Sequence, residues 1–147
     1  MIQTNIIDIG DPFILVHNNT YYMYSTISRA KDGFKCFSSK NLIDWEDNGF
    51  VYSKNDSWGE ECFWAPEVYY YNGKFYLLFT AKWKKNHSLR TGLAVSDSPL
   101  GPFKKYEDNP ILFYKENVFS GPGHNNFFKS LDGKLMTSFH IHTDYWS

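Results

Sequence analysis

Two carboxylates stand where the sequence could place chemistry. Asp11 precedes Pro12 and opens the apolar run Phe13-Ile14-Leu15-Val16. A residue before proline is biased to extended backbone, so Asp11 is expected to project from the mouth of a strand. Its plainer role would be to cap a turn. Glu67 sits in a run that is otherwise apolar and aromatic, Ala65-Pro66-Glu67-Val68-Tyr69-Tyr70-Tyr71. A carboxylate there must face a cavity or solvent, because burying it unpaired is costly. Phe63 and Trp64 come just before it; their flat rings suit either a cavity rim that stacks on a sugar or ordinary core packing. His124 lies in Gly121-Pro122-Gly123-His124-Asn125, whose two glycines let the backbone approach something central. His140 and His142 alternate along one strand face, only weakly like a zinc pair, and no metal is assigned to them. Cys36 and Cys62 match no metal spacing or redox motif, and a disulfide between them stays open.

Strands must position these residues. Short runs rich in Phe, Tyr, Ile, Val and Thr alternate with the turn signals Asn18-Asn19, Asn72-Gly73 and Asp132-Gly133. Such turns between such runs predict hairpins. The paired strands are Phe13–His17 with Tyr21–Thr26, Val68–Tyr71 with Lys74–Thr80, and Phe127–Ser130 with Lys134–His140. These hairpins repeat. Asp11-Pro12-Phe13 lies over Ala65-Pro66-Glu67 with coincident turns, and farther on Ser38 falls on Ser96 and Trp45 on Phe103. A period of about 54 to 60 residues and two hairpins per unit describe a four-stranded propeller blade. The fold class is all-β, with antiparallel four-stranded blades numbering about two and a half. The units are expected near residues 8–53, 60–108 and 111–147, in one partial propeller domain. Open blade edges imply either a fragment of a longer chain or a homo-oligomer that covers them.

Composition narrows the function classes. The chain has 147 residues, of which 21% are charged, and a formal net charge of −1, so neither a nucleic acid nor another polyanion is an expected partner. Aromatic residues reach 20%, which suits an aromatic β core and sugar sites alike. No segment is apolar for long enough to span a membrane, and no membrane partner is expected. The opening MIQTNIIDIGDPF lacks a basic region followed by a long apolar run, which predicts a cytoplasmic protein.

Taken together, Asp11-Pro12-Phe13, the hairpin from Phe63-Trp64-Ala65-Pro66-Glu67 to Phe75-Tyr76, the segment Gly92–Phe103 and Gly121-Pro122-Gly123-His124-Asn125 resemble glycoside hydrolase family 43. The resemblance implies a five-bladed propeller acting on arabinose- and xylose-containing oligo- or polysaccharides with inversion at the anomeric centre. Inversion needs two carboxyl groups about 6.5–9.5 Å apart, one activating water and one protonating the leaving oxygen. By resemblance Asp11 is the general base; Phe63, Trp64 and Asn125 are expected as substrate contacts, and Glu67 as a substrate-contacting or supporting group. His124 belongs near the axis, where some members hold calcium. No cofactor is required, and a structural calcium near His124 is the metal the resemblance allows.

The sequence also departs from the family. The Asp that tunes the acid and the Glu that is the acid have no counterparts, and Ser120 precedes Gly121-Pro122 where that Glu would stand. This pattern predicts that middle blades are missing between Asn109-Pro110 and Gly121. Two readings therefore compete with a glycosidase: a carbohydrate-binding propeller remnant without catalysis, and a self-associating structural module.

Overall fold

Two tight turns set the first two hairpins. Asn18 and Asn19 both have positive φ (46° and 56°), as do Asn72 and Gly73 (47° and 81°). That geometry matches the right-handed twist of the strands it joins. In a computed structural model, which describes residues 4–6, 8–27, 30–112 and 120–142, strand β1 (Ile9–His17) pairs antiparallel with β2 (Thr20–Ile27). Strands β3 (Gly33–Ser39) and β4 (Glu46–Ser53) complete a four-stranded sheet in sequence order. A second sheet repeats this order with β5 (Gly59–Tyr71), β6 (Lys74–Trp83), β7 (Leu89–Ser96) and the short β8 (Lys104–Lys105). A third, two-stranded sheet pairs β9 (Ser120–Lys129) with β10 (Leu135–His142). The only helical element among the described residues is a single 3-10 turn, Lys54–Asp56.

The architecture is thus all-β with two full propeller blades and a hairpin, as the repeat predicts. All three predicted hairpins form. Of the unit expected over 111–147, residues 113–119 and 143–147 lie outside the described residues. One register differs from the sequence alignment. Ser39 lies opposite Tyr21 just as Ser96 lies opposite Phe75, so Ser39, not Ser38, is the counterpart of Ser96. A one-residue slip exchanges the two faces of a strand, and burial decides the matter: Ser39 and Ser96 are both buried. Each hydroxyl then accepts a backbone N–H of the turn that follows, from Leu42 at 2.9 Å and from Ser98 at 3.1 Å.

The second sheet lies between the other two, and its interface with the first is the core. Phe34 and Tyr52 from the first sheet meet Phe63 and Phe79 from the second, with ring centroids 4.9–6.4 Å apart. Such edge-to-face and offset pairs add to the area term that already favours burying rings of this size. Phe63 was expected at a cavity rim; it is fully buried here, so no face of its ring is open to a sugar. Trp58 stacks on Phe79 and presses against Gly92, where an added Cβ would come within 2.3 Å of the indole. Across the same interface the Tyr24 hydroxyl donates to the Pro99 carbonyl at 2.6 Å. Both cysteines are free: Cys36 is buried, its thiol pushed up to about 12 by burial, and Cys62 is half-buried.

Candidate active site

All three sheets carry the same irregularity in their first strand. Pairing runs through Gly10–Thr26, Trp64–Thr80 and Gly123–His140, then resumes at Phe13–Tyr24, Glu67–Leu78 and Asn126–Ser138. Between these points two residues of the first strand oppose one of the second, which is a β-bulge. The first bulged residue is Asp11, Ala65 or His124, and its φ is 46°, 47° and 46° respectively. This left-handed region is unusual for any residue but glycine, although Asp and His tolerate it better than most. The extended backbone expected for Asp11 does not form; the bulge overrides the bias that Pro12 imposes.

These bulges converge. Asp11, Thr26, Trp64, Thr80, His124 and His140 line one pocket of about 250 Å³. Asp11 and His124 are exposed, and Trp64 keeps 38% of its surface. The Thr26 hydroxyl donates to Asp11 Oδ2 at 2.8 Å and accepts the Ala65 N–H at 2.9 Å. One sheet along, the Thr80 hydroxyl accepts the His124 N–H at 2.9 Å. The close approach expected at the glycines occurs at Gly123, where a Cβ would lie 3.1 Å from Thr80 Oγ1 and 3.4 Å from His140 Nε2.

Two expected substrate contacts sit apart from this pocket. Asn125 has no exposed surface and does not line it; neither amide atom has a hydrogen-bond partner among the described residues. It occupies the bulge position that Pro12 and Pro66 hold in the other sheets. Glu67 is half-buried and also off the pocket wall. Its carboxylate accepts the Tyr69 hydroxyl, and that oxygen accepts the Phe127 N–H at 3.0 Å, tying the second sheet to the third. Desolvation raises the Glu67 pKa above the usual carboxylate value, with Tyr69 and His124 opposing it. The structure therefore brings together Asp11, Trp64 and His124, and leaves Phe63, Glu67 and Asn125 outside.

Calcium fits poorly here. It prefers a cage of six to eight oxygens, often carboxylates. Around His124 the pocket wall offers one carboxylate and two threonine hydroxyls, and among the described residues no group of three or more His, Cys, Asp or Glu could hold a metal. The His124 and His140 rings lie 6.2 Å apart; the His142 side chain is outside the described residues.

Thr26 and Thr80 are pocket residues that sequence reasoning did not single out. Extending the repeat along the second strands superposes them 54 residues apart, and both close the strands predicted there.

The model of glycosyl hydrolases family 43 matches residues 5–108, the span of the two complete sheets. The chain belongs to glycosyl hydrolase family 43. This family 43 chain is 33% identical over 133 residues to a xylosidase/arabinosidase 43A of Humicola insolens, covering 74% of this chain and 40% of that protein. It is 24% identical over 115 residues to an extracellular exo-α-(1→5)-L-arabinofuranosidase of Cellvibrio japonicus, covering 72% and 32%. The solved structure of a thermostable family-43 glycoside hydrolase superposes with a TM-score of 0.77 at 39% identity, covering 90% of this chain and 41% of that one. The chain thus spans less than half the length of these relatives. The cytoplasmic location expected from the opening residues is corrected by this comparison, since the Cellvibrio relative is named an extracellular enzyme. The opening residues were a poor guide, because they report only on a leader visible in the sequence itself.

Proposed function

We propose that this protein hydrolyses arabinose- or xylose-containing glycans outside the cell, inverting the anomeric centre, with Asp11 as general base. The observation that carries the reading is Asp11 itself: an exposed carboxylate at a left-handed bulge, on the wall of a pocket that Trp64 also lines. A water held by Asp11 would give up a proton to the carboxylate while its oxygen attacks the anomeric carbon. The leaving oxygen needs a proton from a second carboxyl group about 6.5–9.5 Å away. Asp11 is the one carboxylate on the pocket wall among the described residues, which favours a second reading, a carbohydrate-binding propeller without turnover.

Activity on nitrophenyl arabinofuranoside and xylopyranoside, with the product anomer followed by proton NMR, tests the proposal. Inverted product from wild type and a large loss in Asp11→Ala support it. Equal activity in wild type and Asp11→Ala would remove the base assignment. Sugar binding without turnover in wild type would favour the second reading.

A further inference from the structure

We infer that Thr26 is a positioning residue that fixes the rotamer of the Asp11 carboxylate by way of the second sheet; this rests on the reading of Asp11 as the base. A threonine hydroxyl has one proton and two lone pairs. At Thr26 the Ala65 N–H occupies a lone pair at 2.9 Å, which leaves the single proton to be aimed elsewhere. Asp11 Oδ2, at 2.8 Å, is where it goes. A carboxylate only accepts, so the direction of both bonds is determined: Ala65 N–H to Thr26, Thr26 O–H to Asp11. Oδ2 is thereby held, and Oδ1, which has no hydrogen-bond partner among the described residues, is the oxygen left to take a proton from water.

The neighbouring sheet separates this role from a purely structural one. Thr80 accepts the His124 N–H in the same way, but Ala65, the bulge residue across from it, offers no side-chain acceptor. The latch from one sheet to the next is therefore common to both bulges. Only the first adds a carboxylate, and there the hydroxyl that latches also orients. Threonine suits the place because its branched Cβ restricts χ1 and keeps the hydroxyl between its two partners.

The test compares Thr26→Val, which keeps the shape and removes the hydroxyl, with Thr26→Ser, which keeps the hydroxyl. Three-bond couplings about Asp11 χ1, measured by NMR on the full chain, should report one rotamer in wild type and Thr26→Ser and averaging in Thr26→Val. On the nitrophenyl substrates, Thr26→Val should lose about tenfold to a hundredfold in kcat, the scale of a misplaced reacting group, with little change in KM. Thr26→Ser should keep most of the activity, and adding Thr26→Val to Asp11→Ala should cost nothing more. Thr26→Ala takes the place of the valine variant if that one does not fold. A single Asp11 rotamer surviving in Thr26→Val would overturn the inference. So would equal losses in the valine and serine variants, or a full further loss in the Asp11→Ala background. If the couplings behave as expected while Asp11→Ala is as active as wild type, the positioning stands and the base assignment falls.

Discussion

In the first sheet the left-handed bulge residue is Asp11 and the hydroxyl beside it belongs to Thr26; in the second sheet Ala65 and Thr80 hold the same two positions. Both hydroxyls accept an N–H from the bulge of the following sheet, at 2.9 Å in each case. The backbone device is therefore general to the repeat and holds neighbouring sheets in register. The carboxylate is a local addition to it. A bulge bends the strand and re-aims one side chain, and here Asp11, Ala65 and His124 all line the shared pocket. In the third sheet that residue is His124, with buried Asn125 where the other sheets have proline.

Moving the carboxylate from one bulge to the other should have the largest effect. The double variant Asp11→Ala, Ala65→Asp should remain about 10²–10⁴-fold below wild type in kcat, the usual worth of a general base, because the second bulge belongs to another sheet and sets its side chain at another point of the pocket wall. Recovery to near wild type would make the two bulges interchangeable. Next in size is the core that holds both bulges in place. Phe79→Ala removes a fully buried ring that touches Phe34, Tyr52, Trp58 and Phe63, and should cost about 3–5 kcal/mol in a urea melt. A cost well below that would mean the sheets do not depend on this interface. Thr80→Val isolates the latch without a carboxylate. It should cost about 1 kcal/mol and speed hydrogen exchange at the His124 amide, while protection at the Ala65 amide persists.

The smallest effect concerns Glu67, which stands where the first sheet has Phe13. Its pKa is raised from 4.5 by desolvation, so the folded state holds the proton more tightly than the unfolded chain does. Its favourable contribution is complete below 4.5 and is lost as pH rises through the raised value. Glu67→Gln keeps an acceptor for Tyr69 without the charge. It should melt at a higher temperature than wild type near neutral pH, with the difference vanishing below the ordinary carboxylate range. A constant difference across pH would show that Glu67 is not held against its charge.

Much of this was legible in the residues. Asn-Asn, Asn-Gly and Asp-Gly turns between aromatic runs place the hairpins, and the 54-residue offset superposes Asp11 on Ala65. The bulge was not legible, because Pro12 argues for an extended Asp11 and only cross-strand pairing reveals two residues opposite one. Nor could Phe63 and Trp64 be told apart: alternation puts adjacent residues on opposite faces, but not which face is the core. Thr26 carries no motif; its role comes from a neighbour 39 residues away in the next sheet. Asn125 is expected as a substrate contact only by resemblance, and amides seldom bury without partners, yet here it is enclosed.

Chemical rescue of Asp11→Ala by azide is the most direct test of Asp11 as the base presented by the first bulge. Azide needs no deprotonation and can occupy the space the carboxylate leaves. Azide should restore turnover of an activated nitrophenyl glycoside and yield a glycosyl azide of inverted configuration. Undiminished activity of Asp11→Ala without azide, or a glycosyl azide of retained configuration, would contradict it.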